Sequence, residues 1–240
     1  MHLADHILFL LLGIVLPVVL LVSGIRRRKA PSMRWTERMK IGLYYGNGLL
    51  LYAMALVVLL VYWFTGRSFT EVGLGWGQLP YDLTAVLLLA AFLLLYLVEI
   101  YRELGDADSQ VATRREFIKL GFLPVSARQF MHFLFLAVAA GVGEEIVYRG
   151  FMITYLTELL GSAGWVIIVV LFAPAVAFGV GHLYQGWKAV VKIIFMAILF
   201  GFFFLRTHTL WPLILIHTAV DVFGGLISWY LLGREERSGE

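Results

Sequence analysis

The chain has 240 residues, 61% of them hydrophobic and 15% charged, with a mean hydropathy of +0.86 and a formal net charge of +3. That composition lies far outside the soluble average and marks an integral membrane protein. The small positive charge comes from loop clusters, which excludes nucleic acid as a partner, and the absence of cysteine excludes disulfides, thiolate nucleophiles and Cys-ligated zinc together.

The first apolar run, 6–25, precedes Arg26, Arg27, Arg28 and Lys29 and has no basic segment before it. It therefore reads as an anchor and not as a cleaved signal. Further apolar runs at 43–65, 82–101, 129–160, 163–182, 188–206 and 210–232 are long enough to cross a hydrocarbon core of roughly 30 Å. The stretch from Arg67 to Pro80 is glycine-rich and suits an interfacial loop. Gly105 to Ala127 is polar, and its Arg114, Arg115, Phe117, Ile118 and Leu120 predict a short amphipathic helix on the membrane surface. The expected fold is all-α, a polytopic membrane helical bundle of about seven transmembrane spans plus that interfacial helix. No polar segment is long enough for a second core, so 1–240 reads as one integral membrane domain.

Lysine and arginine fall in alternate loops. Arg26 to Lys40 supplies seven, Arg102 to Arg128 five, and Lys188, Arg234 and Arg237 follow, against only Arg67 and Arg206 on the other side. The positive-inside rule then predicts an outside N-terminus and a cytoplasmic C-terminus. The seven tryptophans lie near span ends, as interface anchors do. Run 129–160 would measure about 48 Å as an α-helix, so it must tilt, project or break near Gly141 and Gly143. His2, His6, His132 and His208 sit near water or a span end and carry no assignment. Glu99 reads as reaching the headgroups.

Inside that long run lie Glu144, Glu145 and Arg149. Ionisable groups at membrane depth cost roughly 2.5–3.5 kcal/mol each on insertion scales and mark function. Glu145 and Arg149 are four apart and share a helical face, so they can pair. Glu144 sits about 100° round an α-helix from Glu145, which leaves one carboxylate free for chemistry. Two further pairs at the same spacing follow, Phe178 with His182 and His217 with Asp221. Glycines at 141, 143, 179 and 181 permit close helix approach or leave room for a substrate.

Glu144-Glu145-x-x-x-Arg149, Phe178-x-x-x-His182 and His217-x-x-x-Asp221, in this order on separate spans, resemble the three motifs of the CPBP family. These are intramembrane endopeptidases of the CAAX-protease and bacteriocin-processing (Abi) type. The resemblance covers about Leu123 to Gly224, so 123–240 is expected to be the catalytic core and 1–122 the N-terminal spans with a cytoplasmic loop. It implies that Glu144 is the general base, that His182 holds the attacking water with it, and that His217 and Asp221 stabilise the oxyanion. Asp221 stands where many members have asparagine. Glu145 and Arg149 match positions with a structural or substrate-placing role. Burial of Glu144 suits a base at neutral pH.

The implied partners are membrane lipid and a peptide or protein substrate, such as a C-terminal tail or a leader peptide. The implied location is a bacterial or archaeal plasma membrane. No cofactor is expected on the metal-free reading. The alternative is a Zn²⁺ metalloprotease with Glu144, His182 and His217 as ligands, a chemically acceptable set that lacks the usual His-Glu-x-x-His helix. A non-catalytic immunity or scaffold protein, using the same groups as a structural lock, is the remaining alternative.

Overall fold

A computed structural model describes residues 1–29, 35–77, 82–161 and 163–238, and no strand occurs among them. The basic loop residue Arg34 and the end of the interfacial loop at Pro80 lie outside the described residues. Among the described residues six helices are long and apolar enough to cross a membrane: α1 (Leu3–Arg26), α2 (Glu37–Phe64), α3 (Leu83–Leu104), α5 (Ala127–Leu160), α7 (Trp187–Thr207) and α8 (Trp211–Gly233). Between them lie the surface helix α4 (Ala107–Leu120) and a shorter apolar helix, α6 (Val166–Gly181). An all-α bundle of about seven spans with one interfacial helix is therefore what the chain forms.

The helix starts follow local chemistry. Thr36, Asp82, Asp106 and Ser126 sit at N-caps, and each side chain accepts a hydrogen bond from the backbone N–H three residues on, satisfying donors the helix cannot use itself. Ser109 N–H and Oγ–H both donate to Asp106, which holds that carboxyl below the usual carboxylate range. Gly121 closes α4 with φ 73° and donates to the Phe117 carbonyl, a left-handed cap open to glycine at no steric cost.

Helix α5 is the most buried span and the organising one. It packs most extensively on α2 and α8, while α6 packs on α7 and α7 on α3. Gly141 and Gly143 explain the close approach. A Cβ on Gly141 would run into Thr218 Oγ1 and stand 2.9 Å from the Ile214 carbonyl oxygen of α8, and one on Gly143 would stand 2.8 Å from the Leu51 carbonyl oxygen of α2. On α6, Gly179 likewise lets the Ile194 side chain of α7 against the backbone. At these positions the glycines serve helix approach and not substrate room.

The long span does not break at those glycines. It stays helical from Ala127 to Leu160, but Glu145–Ile153 winds as a π-helix, the wider i→i+5 form that occurs at functional sites. No residue type in the stretch announces it. Pro174 lies inside an unbroken α6. The shortening is in α6 itself: its 16 residues span about 24 Å. It delivers His182 at its C-terminal end, where a buried Leu183 begins one 3₁₀ turn.

The two ends of the bundle are tied by polar contacts. At one end Arg67 forms an ion pair of 2.5 Å with the buried Asp5 and lies 3.9 Å over the Tyr62 ring, fastening α1 to the loop after α2. That loop is seated on the α7–α8 connection. The Leu210 N–H donates to the Gly73 carbonyl, Thr209 Oγ1 to Gly75 and Trp211 Nε1 to Leu74. His6, unassigned from sequence, bonds the Tyr155 hydroxyl at 2.9 Å. At the other end Lys40 donates to the Leu123 carbonyl, Tyr44 to Phe122 and Ser228 to Pro124, fixing the entry to α5 against α2 and α8. Glu99 ion-pairs with Lys192 and so bridges α3 and α7.

Candidate active site

The π-helical turn, the end of α6 and the middle of α8 meet at one imidazole. His217 lies six residues into α8, about 9 Å along its axis. Its Nδ1 is 2.7 Å from Glu145 Oε1, and its Nε2 is 3.4 Å from Glu144 Oε2 and 4.0 Å from Asp221 Oδ2. Three carboxylates thus surround one ring. Glu145 is fully buried, Glu144 and His217 nearly so, and Asp221 is about one third exposed.

This differs from the α-helical expectation that Glu144 and Glu145 point apart. With more residues per turn, consecutive side chains in the π turn lie closer together round the axis than in an α-helix. Both glutamates therefore reach His217, from opposite ring nitrogens. Glu145 is correspondingly more than a partner for Arg149. Its Oε1 accepts from Arg149 at 2.9 Å and also faces His217, while its Oε2 is buried with no partner.

Aromatic side chains hold the centre together. The Phe178 ring lies 4.7 Å from the His182 ring, 6.0 Å edge-on to His217 and 5.1 Å edge-on to Tyr148. The Arg149 guanidinium sits 4.7 Å from the Phe178 centroid and 5.5 Å from that of Phe200, a cation between two ring faces. Phe178 is thus the hub on which Tyr148, Arg149, His182 and His217 converge. Its motif position marked it, but nothing in the sequence gave it this part.

Hydrogen-bond partners bear on the two imidazoles. His182 Nδ1 is 3.0 Å from the Phe178 carbonyl oxygen, which can only accept. Nδ1 therefore carries the proton and Nε2 of the neutral ring is a free acceptor. His217 presents Nδ1 to the Glu145 carboxylate, which fixes a proton there. Its Nε2 bears a second proton whenever the ring is an imidazolium.

The centre opens on a cavity of about 870 Å³ whose walls include Tyr96, Arg149, Phe178, His182, His217 and Asp221. A neighbouring cavity of about 650 Å³ lies between α3 and α7 and shares Tyr96, Glu99 and Lys192 with it. Tyr96 donates to the Val220 carbonyl beside Asp221 at 3.2 Å. Among the described residues no group of three His, Asp or Glu side chains is arranged to hold a metal ion.

The fold and the site define a polytopic helical membrane protein with a buried histidine–carboxylate centre beside an open cavity. Residues 126–223 match the family model described as Rce1-like, type II CAAX prenyl endopeptidase. The match contains Glu144, Glu145, Arg149, His182, His217 and Asp221, and over these residues the chain is similar to the CAAX-protease, or CPBP, family. No curated protein and no solved structure matches the chain.

Proposed function

We propose that the protein hydrolyses a peptide bond of a membrane-associated protein by water activated between Glu144 and His182, without a metal. The observation that carries the reading is the gathering of Glu144, Glu145 and Asp221 round His217, of which His217 and Asp221 line the 870 Å³ cavity. A structural lock needs only charge balance, which Glu145 and Arg149 already give each other. Glu144 and Asp221 are additional carboxyl groups beside His217, and Asp221 lines the cavity.

The water donates one hydrogen to the Glu144 carboxylate and the other to Nε2 of His182. Its oxygen attacks the scissile carbonyl carbon, one O–H proton passes to Glu144, and the carbonyl electron pair moves onto oxygen. The Nε2–H of the His217 imidazolium meets that oxyanion. Glu145, at the far nitrogen, keeps the ring charged and oriented. Collapse of the tetrahedral intermediate re-forms the carbonyl and breaks the C–N bond, and the leaving amine takes the proton back from Glu144. Asp221, one turn from His217 and facing the same nitrogen, assists in the oxyanion region as an acid or orients the ring as an anion.

The description of the matched family points to a C-terminal CAAX tail bearing a prenyl group as the substrate class. The test is cleavage of a farnesylated CAAX-type peptide by protein purified in detergent, with and without a strong chelator. Continued turnover in chelator by protein holding substoichiometric zinc is the expected result. Loss of activity on chelation, restored by adding zinc, would replace this chemistry with the metalloprotease alternative.

The same reading puts the N-terminus outside and the cavity mouth near α4 on the cytoplasmic side, following the loop charges. Because the chain lacks cysteine, single cysteines report cleanly. Ser68→Cys and Arg115→Cys both occupy exposed positions. Ser68→Cys is expected to react with an impermeant maleimide in intact cells and Arg115→Cys only after permeabilisation. The opposite pattern would invert the orientation.

A further inference from the structure

Cleavage near a chain end leaves a terminal carboxylate at a fixed reach from the scissile bond. Among the described residues the large cavity is lined by four cations, Lys119, Arg149, Lys188 and Lys192. Arg149 is taken up by Glu145 and enclosed between Phe178 and Phe200, and Lys119 bonds Glu116 on α4. Lys188 and Lys192 remain, four apart and so on one face of α7.

Lys192 lies five residues into α7, and its ammonium is directed at the Glu99 carboxylate of α3. Both residues line both cavities, so the pair stands where the two spaces meet. Among the described residues Lys192 is the cation common to them. Ionisable groups inside spans are costly and mark substrate pathways. The pair is partly exposed, and such a bridge contributes little to holding two helices together. An ammonium carries three donors. Glu99 engages one and fixes the head group, which leaves two for a ligand. Lys188, one turn nearer the start of α7, offsets Glu103, the second carboxylate that lines both spaces.

Length selects between the two lysines. Phe200 packs 5.5 Å from the Arg149 guanidinium at the catalytic centre, and it is eight residues from Lys192 and twelve from Lys188. Those separations are about 12 Å and about 18 Å along α7. An extended chain covers about 10–11 Å in three residues. A substrate with its scissile bond at the centre and three residues beyond it therefore ends near Lys192. Three residues follow the prenylated cysteine of a CAAX tail.

We propose that Lys192 recognises the free C-terminal carboxylate of the substrate tail and so sets the scissile bond three residues from the chain end. The assignment rests on the peptide-hydrolysis reading. Glu99 holds the ammonium in place while the site is empty and shares it when the carboxylate arrives.

The test measures cleavage of the farnesylated CAAX-type peptide with a free C-terminal carboxylate and of the same peptide ending in a carboxamide. Wild type is expected to prefer the acid by about 10–10²-fold in kcat/KM, the range for a hydrogen bond to a charged group, with the difference lying in KM. Lys192→Met should bring cleavage of the acid down to that of the amide, and Lys192→Arg should retain the preference. Glu99→Gln separates recognition from a structural bridge: it should keep or increase the preference, because the ammonium loses its competing anion. Equal cleavage of acid and amide by wild type, or an undiminished preference in Lys192→Met, would overturn the proposal. So would parallel loss of cleavage of both peptides in Lys192→Met and Glu99→Gln, which denotes a pair that only holds α3 on α7. Absence of cleavage of both peptides by wild type, or its survival in Glu144→Gln, would instead remove the hydrolysis reading and this proposal with it.

Discussion

Glu144→Gln is expected to lower peptide cleavage by about 10²–10⁴-fold, the range for loss of a general base, while the folded protein melts near the wild-type temperature. The geometry separates the two effects. The Glu144 side chain is 15% exposed, and its nearest charged partner, Nε2 of His217, stands at 3.4 Å, beyond the usual span of about 2.7–3.2 Å for such a bond. Little direct bonding is lost when the carboxylate becomes an amide of the same shape. Burial also penalises the charged form, so neutralising it offsets what the weak pairing contributed. The chemical function does not survive, because an amide oxygen has almost no affinity for a proton. Turnover by purified protein and thermal unfolding in the same detergent measure both arms. Full activity in Glu144→Gln, or a large loss of stability, would show that the carboxylate belongs to the scaffold.

The spans were legible because membrane thickness imposes a length and a composition that few other structures share. Runs such as 43–65 and 188–206 map onto α2 and α7 within a few residues. The amphipathic helix was legible for a related reason: Asp106 caps it, Gly121 ends it, and the apolar residues between them fall on a helical period. The π-helix of α5 was not, since no residue type from Glu145 to Ile153 marks it, and the segment packs against α2, α6 and α7. That one unseen feature altered the reading of the site, bringing Glu145 onto His217 where α-helical spacing had set the two glutamates apart. The Glu99–Lys192 pair was illegible for a similar reason, because the two residues are 93 positions apart on different spans. Residue types and order identified which groups gather. Which atoms face each other depended on helix winding and on where α6 stops, and neither is written in the motif.

Glu145→Gln should behave in the opposite way to Glu144→Gln on stability and join it on activity. Glu145 is wholly buried, and its Oε1 accepts from Arg149 at 2.9 Å and from His217 at 2.7 Å. Neutralising it strands a guanidinium that is only 4% exposed, and breaking a buried pair from one side costs about 3–5 kcal/mol. The two ring faces beside Arg149 soften that cost without replacing an anion. The same substitution removes the charge that favours a doubly protonated His217, so the Nε2–H needed at the oxyanion is depleted even in molecules that remain folded. A second change separates these consequences. Adding Arg149→Met removes the stranded cation and replaces the pair by apolar atoms of similar length, a swap that is often neutral or stabilising. The double variant should therefore recover much of the lost melting temperature while its turnover stays low, because His217 still lacks its anionic partner. Wild-type stability in Glu145→Gln would mean that the pair does not hold α5 in place. Full turnover in the stable double variant would mean that Glu145 does not act through His217, leaving Glu144 and His182 to work beside an imidazole whose charge is set by other groups.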